Sequence, residues 1–398
     1  MTLDLAYARA RFPALAGDWT FFDNAGGSQV LDSVAARAAD YLLHHNVQHG
    51  ASYAPSVRAA AMVRGAEDAL AAMIGAASRR EVVLGPSATA LLDVLARSLA
   101  PSLRPGDEII VTNADHEANI GCWRRLVAQG VVIREWRIDP ASLSLRLADL
   151  AGLLGPRTRL VAVTHASNIL GTIEPVAEIA RMVHRAGAEL VVDGVAYAPH
   201  RAIDVSSLGA DFYVFSLYKV YGPHQGLLWG RGDRLEQLSG LNHDFIAEDD
   251  IPYKFQLGNR NYELAYASGA IPEYLAALAD RAGMPAFEAI ARHEEALADR
   301  LIGFLARRND VRLIGAATAD RNIRVPTISF VVEGRSSPSI VAAVDARRIG
   351  IRFGDFYARR LIDDLGLRAA GGVVRVSMVH YNTPQEVDAL IGALEATL

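Results

Sequence analysis

The chain of 398 residues is 51% apolar and 21% charged, with a formal net charge of −5 and a pI near 6.1. Those proportions suit a globular protein large enough for two domains, and they leave no basic surface for nucleic acid. Cys122 is the only cysteine, which excludes an intrachain disulfide and a cysteine-rich metal centre, and no apolar run approaches the ~20 residues that cross a bilayer.

Taken in order, the first residues carry Asp4, Arg9 and Arg11 among apolar positions. That texture is unlike a secretory signal, so a cytoplasmic location is expected. Phe21-Phe22-Asp23-Asn24-Ala25-Gly26-Gly27-Ser28 then sets an aromatic pair before a glycine-rich polar turn. Helical spacing follows over 34–43 and 57–74, separated by a polar loop, 46–53, that contains His49. Loops of that kind line sites.

From residue 81 the pattern becomes regular. Strands are expected at 81–84, 107–112, 131–138, 159–164, 189–192, 211–215 and 226–229, with helices after Thr89, after Glu117, over 145–154 and over 174–186. Strands and helices alternating at this pace mean βαβ units, hence a mostly parallel sheet with helices on both faces. Beyond residue 258 the texture changes: a long helix over 262–281 interrupted by Pro272, helices at 285–307 and 338–348, and strands at 326–332 and 373–379. Thr383, Pro384 and Glu386 spell a capping box at the start of a last helix. The expected division is an N-terminal arm over 1–20 near the small domain, a large α/β domain over 21–260, and a linker helix with a small α+β domain over 261–398.

Ligands in parallel sheets bind beyond the carboxyl ends of the strands. Thr89, His116, Asn168, Asp193, Ser216 and Lys219 each follow an expected strand, so one sheet edge collects them. Lys219 and Lys254 are the only lysines among 40 basic residues. Arginine replaces lysine as a surface charge but cannot serve as a neutral amine nucleophile. A lysine retained just past a buried strand therefore reads as a Schiff-base lysine. No G-x-G-x-x-G follows the first strand, and neither a P-loop nor H-E-x-x-H occurs. The set fits pyridoxal 5′-phosphate: Lys219 for its aldehyde, Asp193 for its ring nitrogen, His116 against its ring, and the helix start at Ala88 and Thr89 for its phosphate. Singly, each has a plain alternative: a surface lysine, a helix cap at Thr89, a turn aspartate, a polar loop histidine. Together those alternatives lose.

These motifs resemble those of fold-type I pyridoxal-phosphate enzymes, in particular class V aminotransferases of the cysteine desulfurase and selenocysteine lyase-like branch. The resemblance rests on Phe22-Asp23-Asn24-Ala25, Asp115-His116-Glu117-Ala118-Asn119, Thr164-His165-Ala166-Ser167-Asn168-Ile169-Leu170-Gly171, Val192-Asp193-Gly194, the stretch 212–223, and Arg375-Val376-Ser377 with Tyr381-Asn382-Thr383. It implies that Lys219 holds the cofactor and carries the α-proton, and that Asp193 keeps the ring nitrogen protonated. His116 and Asn168 then contact the ring, Thr89, Ser216 and Tyr218 border the phosphate, and Arg375 receives the substrate carboxylate. Asn24, His49 and Tyr357 are further expected to border an amino-acid substrate, and a homodimer with shared sites is implied.

Four positions depart from that pattern. Tyr357 stands where desulfurases carry a nucleophilic cysteine, Ala196 where a glutamine is usual, and Tyr218 where a histidine precedes the lysine. The segment that supplies a threonine from the neighbouring subunit reads Gly258-Asn259-Arg260-Asn261, making Asn259 or Arg260 the phosphate contact. A C–S lyase acting by α,β-elimination is therefore expected. An aminotransferase or epimerase, or a cofactor-binding partner protein without turnover, are the alternatives.

Overall fold

The computed structural model describes residues 2–398. Its first strand, β1 (Thr20–Phe21), pairs in parallel with Ile349–Gly350 near the other end of the chain. The regular middle of the sequence forms a seven-stranded sheet from β2 (Val82–Gly85), β3 (Glu108–Thr112), β4 (Val132–Trp136), β5 (Thr158–Thr164), β6 (Glu189–Asp193), β7 (Phe212–Ser216) and β8 (Gly226–Gly230). The strand order is β2-β8-β7-β6-β5-β3-β4, and only β8 runs antiparallel to its neighbours.

Alternate side chains of each strand serve opposite faces. Leu190 and Val192 join one apolar cluster while Val191 joins another; Tyr213 and Phe215 part from Phe212 and Val214 in the same way. Helices cover both faces, so the middles of the central strands are apolar at consecutive positions rather than at every second one. Among the described residues no helix is long and apolar enough to cross a membrane.

The later part of the chain builds a four-stranded antiparallel sheet. Its strands are β9 (Val311–Ile314), β10 (Thr327–Val332), β12 (Arg352–Gly354) and β13 (Val373–Ser377), in the order β12-β13-β10-β9, with β11 (Ile349–Gly350) being the partner of β1. Register sets Arg375 opposite both Ser329 and Arg352. The residues before β1 reach this part of the fold as well: Arg9 donates to the Tyr381 carbonyl at 2.7 Å and to Glu386 at 2.8 Å. The capping box of Thr383 and Glu386 is formed, with Pro384 at the first helical position.

One expected element is corrected. The helix over 262–281 is two helices, Tyr262–Ser268 and Ala270–Ala282, parted at Gly269 rather than Pro272. Pro272 falls in the first turn of the second helix, where a missing N–H costs nothing. Gly269 packs against the helix Ala54–Met73 so closely that a Cβ there would lie 2.8 Å from that of Ala66. The short strands β1, β9, β11 and β12 and the helix Arg359–Asp364 were not expected.

Candidate active site

The carboxyl ends of β5, β6 and β7 lie side by side, with Thr164 in register with Asp193 and Asp193 with Val214. One cavity at this edge is lined by Ala88, Thr89, His116, Asn168, Asp193, Ser216, Tyr218 and Lys219, together with Ala118, Thr164, Ala166, Val195 and Ala196. All six polar residues that the strand pattern places at the edge are therefore in one pocket.

Each is held by local structure. The helix Ala88–Leu99 starts at the pocket wall and is capped by Ser87, whose hydroxyl accepts from Ala90 N–H at 3.1 Å. Thr89 is thus not the cap, and its hydroxyl is free for a ligand at the positive end of the helix. Gly226 of β8 packs on the same turn, where a Cβ would meet the Ala88 nitrogen at 2.6 Å. Asp193 ends β6 and accepts from the Val195 N–H at 2.9 Å. Lys219 follows β7 in a single 3₁₀ turn, Leu217–Lys219.

Burial sets the electrostatics. It pushes the Lys219 ammonium down to about 8, with Arg375 adding to the effect and Asp193 and Asp23 opposing it. It pushes the Asp193 carboxyl up to about 6, against the Val195 N–H and Lys219. The His116 imidazole is driven down to about 4 by burial and by the positive charges of Lys219 and Arg375. It is neutral at physiological pH, and its Nδ1 accepts from the Ala118 N–H at 3.0 Å. The pocket thus offers an amine near neutrality, a carboxylate 26 residues away in sequence but adjacent in space, and an uncharged aromatic face.

Arg375 approaches from β13. Its guanidinium donates to Asp23 at 2.9 Å and to the Asn168 carbonyl at 3.2 Å, and stacks 3.6 Å above the Phe356 ring, while its Nε is buried without a partner. Asp23 also meets Arg352 at 3.5 Å. Asn168 donates to the Phe356 carbonyl at 2.9 Å and leaves its Oδ1 buried and unpartnered. Asp23 and Phe356 were missed in the sequence; only their neighbourhood to Asn24 and Tyr357 pointed toward them.

Three expected substrate or cofactor residues are elsewhere in this chain. Asn24 spends its amide on Phe21, Ser377 and Asn382 and accepts from the Tyr381 hydroxyl, so it ties β1 to the C-terminal strands. His49 bonds Tyr41 at 2.8 Å and stacks on Tyr262 at 3.7 Å. With Asn259 it lines a second cavity, shared with Arg64 and Arg260. Tyr357, by contrast, lies beside a lining residue of the first pocket, its ring 5.1 Å from that of His116. Cys122 is buried on the helix Ala118–Arg124, donates to the Ala118 carbonyl at 3.3 Å, and is pushed up to about 12 by burial.

Comparison with known proteins agrees with this arrangement. The family described as Aminotransferase class-V matches residues 20–390. The aminotransferase-like protein FGM3 of Gibberella zeae is 47% identical over 98% of this chain and 97% of its own length. The cysteine desulfurase-like protein ustD of Aspergillus flavus is 35% identical over 99% of this chain and 90% of its own. The crystal structure of the cysteine desulfurase CsdA of Escherichia coli superposes with a TM-score of 0.87 at 27% identity, covering 100% of this chain and 99% of that one. The chain belongs to the class-V aminotransferase family, has the fold of its cysteine desulfurase-like members, and is a pyridoxal-phosphate-dependent enzyme.

Proposed function

We propose that this enzyme binds pyridoxal 5′-phosphate through Lys219 and removes a β-sulfur substituent from an amino acid by α,β-elimination, without an enzyme thiol. The residues present fit the cofactor. The lowered Lys219 amine suits condensation with an aldehyde, the neutral His116 ring suits stacking, and the unpartnered Asn168 Oδ1 awaits a donor. Ala88, Thr89, Ser216 and Tyr218 would hold the phosphate end, and Asp193 the ring nitrogen. When bound, the cofactor supplies an electron sink for the pair left by the α-hydrogen.

The protein's own groups do the rest. Arg375, braced by Asp23 and Phe356, would bind the substrate carboxylate and fix the α-carbon beside Lys219, whose amine takes up the α-proton. The observation that carries the reading is the position of the thiol. Cys122, the only cysteine, is buried and held protonated, and by the resemblance Tyr357 stands where a desulfurase would carry its nucleophile. Sulfur that leaves the β-carbon would then depart as a small molecule.

A homodimer is part of this proposal. His49 and Asn259 would serve the partner's pocket, since in their own chain they line a different cavity. A cytoplasmic location, and a division into a large unit over 21–260 and a small one over 261–398, are proposed on the same footing. The test is to incubate purified enzyme and cofactor with cysteine and S-substituted cysteines. Pyruvate with a released thiol or sulfide supports elimination. Alanine with protein-bound sulfur would contradict it, as would a keto acid with a new amino acid, or racemisation alone.

A further inference from the structure

The segment Gly354-Asp355-Phe356-Tyr357 has an unusual backbone. Phe356 and Tyr357 both adopt left-handed conformations, with φ of 50° and 60°. Side chains with a Cβ rarely do so, and two in succession persist only where surrounding contacts hold them. One of those contacts comes from a pocket residue, one from the neighbour of another, and one from within the turn. The Phe356 carbonyl accepts from Asn168 at 2.9 Å, the Tyr357 carbonyl accepts from the Glu117 N–H at 2.8 Å, and the Tyr357 N–H donates to Asp355 at 3.0 Å. The Phe356 ring meanwhile lies against Arg375. The turn is thereby pinned to Asn168 of the pocket and to Glu117, next in sequence to the pocket residue His116, and Tyr357 is held with its ring 5.1 Å from that of His116.

From this geometry we infer that Tyr357 is the catalytic acid of the enzyme: its hydroxyl protonates the group that leaves the β-carbon. The assignment rests on the elimination reading above. As the bond between Cβ and sulfur breaks, its electron pair stays on sulfur, and the phenolic proton moves to that sulfur to give a thiol. The pair from the α-C–H bond becomes the Cα–Cβ double bond, and the α-proton stays on Lys219. Tyr357 is 68% exposed, so water returns a proton to the phenolate. The organic product is 2-aminoacrylate, which water converts to pyruvate and ammonium. Other acids are poorly placed. His116 is neutral with its Nδ1 engaged by Ala118, and His49 has its Nε2 bonded to the Tyr41 hydroxyl and its ring stacked on Tyr262.

The test compares wild type with Tyr357→Phe on S-ethyl-L-cysteine, a substrate with a poor leaving group, and on S-(4-nitrophenyl)-L-cysteine, one with a good leaving group. A proton donor matters in proportion to the basicity of what departs. The variant is expected to lose about 10²-fold in kcat on the ethyl substrate and less than about threefold on the nitrophenyl one. Cofactor uptake by the apo-protein, followed by absorbance, should be unchanged, because Phe keeps the ring and the backbone geometry. Equal losses on both substrates would make Tyr357 a structural residue and overturn the assignment, as would no loss on either. If wild type itself releases pyruvate from neither substrate, the elimination reading falls and the acid with it. If wild type eliminates from both and the variant matches it, only the acid is wrong.

Discussion

Replacing Lys219 by methionine should make the apo-protein more stable, because the catalytic amine is stored at a cost. In the unfolded chain a lysine stays protonated up to about 10.5, whereas in the folded pocket burial brings it to about 8. A difference of that size corresponds to roughly 3 kcal/mol of disfavoured charge. Below about pH 8 the lysine is charged in both states, and the whole penalty bears on the folded one. Between about 8 and 10.5 the folded protein has already lost the proton while the unfolded chain still holds it, so wild-type stability recovers as pH rises. Lys219→Met removes the charge at nearly constant volume. Its advantage over wild type should be roughly 3 kcal/mol at pH 7 and fade toward zero above about 10.5. Urea unfolding of both apo-proteins at pH 7, 9 and 10.5, at one fixed protein concentration, measures the difference. An apo-variant less stable than wild type, or a difference that does not change with pH, would refute the reasoning.

Three further outcomes follow from the same structure. Arg375→Lys should raise KM for the amino-acid substrate about 10- to 100-fold in steady-state assays, since a point charge cannot reproduce a fork braced by Asp23 and Asn168. Lys254 is 1% exposed, with its ammonium donating to the carbonyls of Glu236, Leu238 and Glu248; Lys254→Met should cost about 3 kcal/mol in urea unfolding by leaving those acceptors bare. Cys122→Ala should keep kcat within about twofold, and iodoacetamide should not inactivate the wild-type enzyme, because the thiol is buried and protonated.

The parts of the molecule that were legible in advance are those in which local chemistry carries the signal. Strands such as β6 and β7 are runs of β-branched and aromatic residues, buried on both faces, and they show as such in one dimension. Lys219 stood out because the chain otherwise uses arginine, and Asp193 because it closes a strand at the same edge. Lys254, the other lysine, turns out to have a comparable reason: its compact ammonium fits a cage of three carbonyls. What stayed hidden depends on contacts distant in sequence. Asp23 meets Arg375 across 352 positions, and Phe356 becomes a cover for that arginine only through its left-handed backbone. The break at Gly269 arises from the approach of Ala66, which no local pattern shows, while the more conspicuous Pro272 is harmless where it sits. Two-residue strands such as β1 and β11 have no periodicity to read. Asn259 belongs with the Lys219 pocket by the resemblance, and His49 by its polar loop as well, but within one chain they line another cavity.

The central claim is that one amine, at position 219, holds the cofactor. Borohydride reduction of the enzyme loaded with pyridoxal 5′-phosphate, followed by peptide mapping, tests it most directly. A single modified peptide spanning the segment 212–231 is expected, with no incorporation in Lys219→Ala. Label on Lys254 instead, or a wild-type protein that takes up no cofactor, would contradict it.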